Sequence, residues 1–276
     1  MSYDEISLRL ITAGIPERQK LMFAAELKFE SKARGTPEAK ADAITWLIGS
    51  LVRNGNLLEE FLLEGKAEDW TIYGIMPARD AFQRANWGGL VRQRIAELLL
   101  ANLKRPRIRF LGVVPETAPA CRCAKPRGFF LFTTFLDSEP PVRCIHCNGI
   151  VPLYRLPRSP SGEHSGLLSW KSNYQACDTL QMNCTVGERF GTRQMSDLTS
   201  ELSRSGLAAC REIRRLTGRP AYYYLHRADA RSRAAELARK CPGCGGEWLL
   251  KKPLHGKFDF RCDRCHLLSN IAWNFR

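Results

Sequence analysis

Eleven cysteines stand in this 276-residue chain, and eight of them fall at spacings that suit metal coordination. Cys241-Pro-Gly-Cys244 and Cys262-Asp-Arg-Cys265 are two Cys-x-x-Cys pairs separated by seventeen residues. Each pair bends the backbone into a knuckle with two inward-pointing thiolates, and a hairpin between the knuckles gathers Cys241, Cys244, Cys262 and Cys265 around one zinc ion, as in a zinc ribbon. Four protein ligands leave no open position for water, so the metal chemistry expected here is structural. A second quartet is less regular: Cys121-x-Cys123, twenty residues, then Cys144-x-x-Cys147. The Cys-x-Cys pair lacks the two residues that normally shape a knuckle, and His146 stands where it could replace a sulfur. A ribbon-like second site is the expectation, giving two zinc ions per chain; the competing reading is a set of buried, unmetallated thiols.

Cys177, Cys184 and Cys210 remain. On a helix over 174–184, Cys177 and Cys184 share a face but stand about 10.5 Å apart along the axis, too far to chelate one ion. Cys177, Asp178 and Glu188 are the candidate residues for catalysis in the segment 174–193, yet no His lies close in sequence and no known motif assigns them roles.

The elements that must position these residues follow from periodicity. Glu247–Lys252 and Phe258–Phe260 are the arms of the C-terminal hairpin, with Pro253-Leu-His-Gly-Lys257 as its turn. Alternating apolar positions predict a third strand over Ile271–Phe275. Phe129–Leu136 is a strand-like run between the cysteines of the other quartet. Upstream, Ile6, Leu8 and Leu10 alternate as in a strand, and Met22, Ala25 and Phe29 lie on one stripe of a helix expected over 16–34. Thr36 caps a second helix with Pro37 at its first position and Gly55 at its end. Strands near 57–63 and 71–76, a helix over 86–103 and a strand over 108–114 complete the series. The fold class expected is α+β: a ferredoxin-like βααββαβ domain (1–115), a ribbon-like zinc segment (116–158), a mixed α/β segment (159–235) and a C-terminal zinc ribbon (236–276). The stretch 159–166 reads as a flexible connection.

Net charge is +14, and its distribution is uneven. Residues 1–100 hold 13 Lys/Arg against 14 Asp/Glu; residues 101–276 hold 29 against 14. Each zinc centre with four thiolates carries a net −2 that the formal count omits, which leaves the C-terminal part at about +11. A helix over 206–217 places Ala209, Ile213 and Leu216 on one stripe and Arg211, Arg214 and Arg215 on the other. Tyr222-Tyr-Tyr-Leu-His-Arg227 then reads as a strand exposing Tyr222, Tyr224 and His226. No apolar run approaches the ~18 residues of a membrane span. The acidic start, Met-Ser-Tyr-Asp-Glu, lacks the regions of a signal peptide, and the metal-like cysteine spacing points to a reducing, cytoplasmic setting.

Four phrases are more specific: the run Tyr174–Cys184, Gly187-Glu-Arg-Phe-Gly-Thr-Arg-Gln-Met195, Thr217-Gly-Arg-Pro-Ala-Tyr-Tyr-Tyr224 and Cys241-Pro-Gly-Cys-Gly-Gly-Glu-Trp248. From about Ile108 onward the chain resembles a bacterial family of uncharacterised Zn-ribbon-containing proteins whose nucleic-acid role is itself inferred from the ribbon. The resemblance implies a bacterial cytoplasmic protein with zinc on Cys241, Cys244, Cys262 and Cys265.

Three functions fit these residues. The first is a non-enzymatic zinc-ribbon protein that binds nucleic acid through Arg211, Arg214, Arg215, Arg231, Arg233, Lys251, Lys252 and Arg264, with Tyr222, Trp248 and Phe258 available for base stacking. The alternative is a protein-binding module, such as an immunity protein neutralising a bacterial toxin. The third is an enzyme built on Cys177, Asp178 or Glu188. A solvated charged helix beside an ordinary sheet core accounts for the same charge pattern without a ligand.

Overall fold

The computed structural model describes residues 22–31, 35–58, 61–66, 69–115, 117–158 and 163–275. The strand expected at Ile6–Leu10 lies outside them. The expected helix over 16–34 is, where described, a strand: β1 spans Phe23–Glu30. Phe23, Ala25, Leu27 and Phe29 are buried while the residues between them are more open. That alternation of two outweighs the coarser helical stripe the same residues also satisfy, because β1 takes a central place in a sheet.

Helix α1 (Pro37–Asn54) starts on Thr36, whose hydroxyl accepts from Ala39 N, and stops at Gly55 in the left-handed conformation. Strands β2 (Phe61–Lys66) and β3 (Asp69–Met76), helix α2 (Gly89–Leu100) and strand β4 (Arg107–Val113) follow. The order βαββαβ builds a four-stranded sheet, β2-β3-β1-β4, in which every neighbouring pair is antiparallel. Ile44, Leu47 and Leu51 of α1 and Val91, Ile95 and Leu98 of α2 share one core with Ala25, Leu27 and Phe29. Charged pairs flank β1: Glu26 with Arg109, Glu30 with Lys104 and Arg107, and Lys28 with Asp69.

The remainder forms one second unit. Strands β5 (Phe129–Leu131) and β6 (Val142–Cys144), helices α3 (Ser165–Asn183), α4 (Glu188–Ser196) and α5 (Glu201–Thr217), strand β7 (Ala221–Leu225), helix α6 (Arg233–Leu237) and strands β8 (Leu249–Leu254), β9 (Phe258–Cys262) and β10 (Leu267–Ser269) occur in that order. All six strands belong to a single sheet, β6-β5-β7-β10-β9-β8. One hydrophobic core runs from Cys121 to Leu268. The segments expected as a zinc segment, a mixed segment and a C-terminal ribbon are therefore joined in one sheet and one core. The sequence signal at Phe129–Leu136 extends as a strand only to Leu131, and the last strand is β10, not Ile271–Phe275, where Trp273–Phe275 make a short 3-10 turn.

Helix packing on this sheet depends on two close approaches. A Cβ at Gly206 of α5 would overlap the Tyr223 ring and sit 2.6 Å from Trp170 Nε1. A Cβ at Gly191 of α4 would overlap the Cys177 carbonyl of α3. The two halves meet along residues 150–158 and at Glu163 and His164. Tyr154 belongs to the N-terminal core, and its hydroxyl donates to Asp80 Oδ1 at 2.6 Å. Arg155 binds both oxygens of Asp80 at 3.0 and 3.2 Å, and Arg53 Nε donates to Glu163 Oε2 at 3.2 Å. Residues 159–162 of the expected flexible connection lie outside the described residues; Glu163 and His164, just beyond, are packed side chains.

Candidate metal centres and the surface between them

Both cysteine quartets assemble. Cys121, Cys123, Cys144 and Cys147 form one group and Cys241, Cys244, Cys262 and Cys265 the other, with the sulfurs of each group within 4.8 Å of one another. The Cys144–Cys123, Cys147–Cys121 and Cys244–Cys262 sulfurs stand 3.9, 3.6 and 3.7 Å apart. A tetrahedron of four metal–sulfur bonds near 2.3 Å has an edge of about 3.8 Å, so these donor sets fit a four-coordinate ion. None of the eight cysteines is in a disulfide. His146 is exposed and outside the first group.

Local backbone explains the gathering. Cys144 ends β6 and Cys262 ends β9, and each is followed by a turn that carries the second cysteine. The residue after the second cysteine is left-handed in all three Cys-x-x-Cys knuckles: Asn148 at φ 58°, Gly245 at φ 70° and His266 at φ 54°. Within the last knuckle a backbone amide also turns inward, Cys265 N donating to Cys262 Sγ at 3.3 Å. Cys121-x-Cys123 reaches its partners by another route. Cys121 N donates to Ile150 O at 2.7 Å, and a Cβ on Gly149 would stand 2.7 Å from Cys121 Cα, so the two backbones touch.

The thiols share protons unequally. The Gly246 amide, then the Cys265 and Cys262 thiols, hold Cys244 down at about 7, whereas burial and the neighbouring thiols push Cys265 up to about 12. In the other quartet the Cys121 thiol, with help from the Cys147 and His146 amides, holds Cys144 down at about 4, and Cys121 itself is raised by Cys144 and by burial. One sulfur of each set ionises readily while others resist. A central cation is what allows four adjacent thiolates to coexist. With all four positions filled by sulfur, such an ion has no site for substrate.

Register places both quartets at the same end of the sheet. Phe129 is opposite Cys144 on one side and Ala221 on the other; Leu267 is opposite Tyr223 and Cys262. Cys144 and Cys262 are thus four strand spacings apart, about 19 Å along the sheet. At this end lie Arg122, Lys125 and Arg127, the last turns of α5 with Arg211, Arg214 and Arg215, then Arg219, Arg261 near the end of β9 and Arg264 in the β9–β10 turn. Arg214 Nη1 donates to Ala221 O at 3.3 Å, which ties α5 to this rim. The carboxylates of these segments are committed: Glu212 to Arg215, Asp263 to Arg261 and the Tyr222 hydroxyl.

Of the residues expected to touch nucleic acid, Arg211, Arg214, Arg215 and Arg264 come together here. Arg231 and Arg233 are exposed beyond the finish of β7, toward the other end; Lys251 and Lys252 are exposed on β8, whose turn into β9 folds back toward the first quartet, with His255 Nε2 2.9 Å from Ile145 O. Tyr222, Trp248 and Phe258 are 2, 2 and 1 % exposed, so none offers a face for base stacking. Tyr224 and His226 are buried as well. β7 lies in the middle of the sheet, with Tyr223 against Trp170 of α3, Tyr224 against Phe258, and Arg261 over the Tyr222 ring. Arg122, Lys125, Arg127, Arg219 and Arg261 carry no signal in sequence, because only strand register brings them to the rim. Cys177 and Asp178 are packed in the core, with Asp178 Oδ2 accepting from Phe135 N at 2.8 Å, while Glu188 is exposed.

No described helix is long and apolar enough to cross a membrane. Two family models match, a domain of unknown function (DUF2310) over residues 123–226 and another (DUF8594) over 230–275. Their boundary falls between β7 and β8, inside the six-stranded sheet. An uncharacterized protein of Haemophilus influenzae is 33% identical over 212 residues, which are 77% of this chain and 81% of that protein. A second one from the same organism is 41% identical over 145 residues, 52% of this chain and 71% of the other. Among solved structures, SnoaB, a cofactor-independent oxygenase from Streptomyces nogalater, aligns at 14% identity and a TM-score of 0.28, covering 35% of this chain and 99% of its own.

Proposed function

The chain belongs to the same family as the two Haemophilus influenzae proteins, and we propose that it is a non-enzymatic protein, stapled by two structural zinc ions, that binds nucleic acid by its phosphate backbone. The observation that supports this reading most is the convergence of nine Lys and Arg residues on the sheet end between the two cysteine quartets. The rim stays positive even when each four-thiolate zinc centre is counted at −2. Zinc suits four thiolates at these spacings, and its role in this reading is to fix the knuckles that carry the rim.

The burial of Tyr222, Trp248 and Phe258 shapes the proposal. Without aromatic platforms, affinity rests on phosphate neutralisation, which is insensitive to sequence and steeply sensitive to salt. Titration of the full chain with a mixed-sequence DNA duplex across a salt series is the test. A linear fall of log affinity with log salt, with several counterions released, is the expected result. No binding at low salt contradicts the proposal, and binding that ignores salt points to a protein-like interface instead.

A further inference from the structure

The nine cations of the rim are held at three places whose spacing the sheet fixes. β7 stands two strands from β6 and two from β9, so the α5–β7 turn lies midway between Cys144 and Cys262, about 10 Å across the sheet from each. Backbone hydrogen bonds run sideways through all three places. Ile145 N donates to Gly128 O at 3.0 Å, Phe129 N to Pro220 O at 2.8 Å and Tyr223 N to His266 O at 2.9 Å. Arg122 stands between Cys121 and Cys123, and Arg264 between Cys262 and Cys265, so each outer cation is placed by its quartet.

Some of these cations are already engaged. Arg214 donates to the Ala221 carbonyl, Arg215 is paired with Glu212, and Arg261 with Asp263. Arg122, Lys125, Arg127, Arg211, Arg219 and Arg264 are exposed, and among the described residues none of them pairs with a carboxylate. A rigid set of charges about 19 Å wide suits a ligand whose phosphates are equally fixed. Single strands are flexible and draw much of their affinity from stacking, and the aromatic rings of this end, Phe129 and Tyr222, are buried. A duplex is stiff. The phosphate rows that border its B-form major groove, about 12 Å wide, are roughly 18 Å apart between phosphate centres.

We propose that the rim straddles one groove of a duplex: Arg122, Lys125 and Arg127 take phosphates of one strand, Arg264 those of the other, and Arg211 and Arg219 reach the nearer row from between. This inference rests on the nucleic-acid reading above and adds the form that is bound. The test titrates the full chain, across salt, with a DNA duplex, a matched RNA duplex and a hybrid of the DNA strand with uncharged peptide nucleic acid. The hybrid is a double helix with one charged row. Six phosphate contacts give the duplex a slope of log affinity against log salt of about five, and the hybrid is expected to show about half of that. Arg264→Gln is expected to lower the duplex slope by about one and to leave the hybrid slope unchanged, because the hybrid seats its single row on the other quartet. Unimpaired hybrid binding also shows that the variant is folded. Both DNA and RNA duplexes carry paired rows, and whichever shows the full slope is the form bound; if neither does, the proposal fails. Equal losses on duplex and hybrid overturn the straddle and leave the nucleic-acid reading standing. A wild-type hybrid slope near four-fifths of the duplex value, the change that lower charge density alone gives, does the same. No binding of any of the three at low salt overturns both.

Discussion

The geometry of each Cys-x-x-Cys knuckle turns on one residue, the left-handed position after its second cysteine. Gly245 and Asn148 are residue types that tolerate this conformation, so two of the three reversals can be read from sequence; His266 gives no such signal. The eight cysteines that gather are legible because spacing alone sets which thiols can converge. Exposure is not legible: three consecutive tyrosines look alike on paper, and only their place on a central strand buries all of them. At this scale, Cys262→Ser is expected to halve the zinc content of the chain and to lower its unfolding temperature, measured by metal release and thermal melting, whereas Cys184→Ser, at an exposed position outside both groups, leaves both unchanged. A second residue-level prediction concerns acid. Burial holds His226 down at about 4 in the folded chain, while the unfolded chain protonates it near 6.5. Stability contributed by the neutral ring is therefore complete above pH 6.5 and lost as pH falls toward 4, at about 2.5 kcal/mol by pH 4.5. Urea unfolding at pH 7.0 and 4.5 should show His226→Gln losing less between the two than the wild type.

Among the elements, α1 is readable at both ends because Thr36, Pro37 and Gly55 are local punctuation with local causes. β1 reads as helix because Ala, Leu, Glu and Lys favour helices, while the alternation that decides the matter becomes compelling only once β3 and β4 flank it. β10 is hidden for a similar reason: three buried residues carry almost no pattern of their own. The junction between the halves gives an element-scale prediction. Gly55 has φ 76°, and a Cβ there would stand 2.6 Å from Leu153 Cβ. Gly55→Ala is expected to cost about 2 kcal/mol or more, from left-handed strain plus displacement of the docked turn. Gly49, in the interior of α1 with nothing within 4 Å of its Cβ direction, is the contrast: Gly49→Ala should stabilise by up to about 1 kcal/mol. Chemical denaturation of the two variants checks both signs.

For the whole molecule, the decisive fact is that one sheet carries both cysteine quartets. The sequence suggests a small C-terminal ribbon that a chelator would unfold first. The shared core predicts otherwise. Chelation should loosen β5 to β10 together while the N-terminal sheet, which contains no cysteine, keeps its protection; hydrogen exchange with and without a chelator resolves the two outcomes. The same sheet gathers the basic rim from segments that lie far apart in sequence, and the rim is the basis of the proposed function. The direct test compares two triple variants for duplex binding across salt. Arg127→Glu with Arg219→Glu and Arg264→Glu alters the rim; Arg204→Glu, in the first turn of α5, with Arg231→Glu and Arg233→Glu alters exposed charges toward the opposite end. The account predicts that the rim variant loses most of the affinity and about three units of the salt slope, at roughly 0.9 per phosphate contact, while the other stays close to wild type. Equal losses in the two variants, or a larger loss at the opposite end, would contradict it.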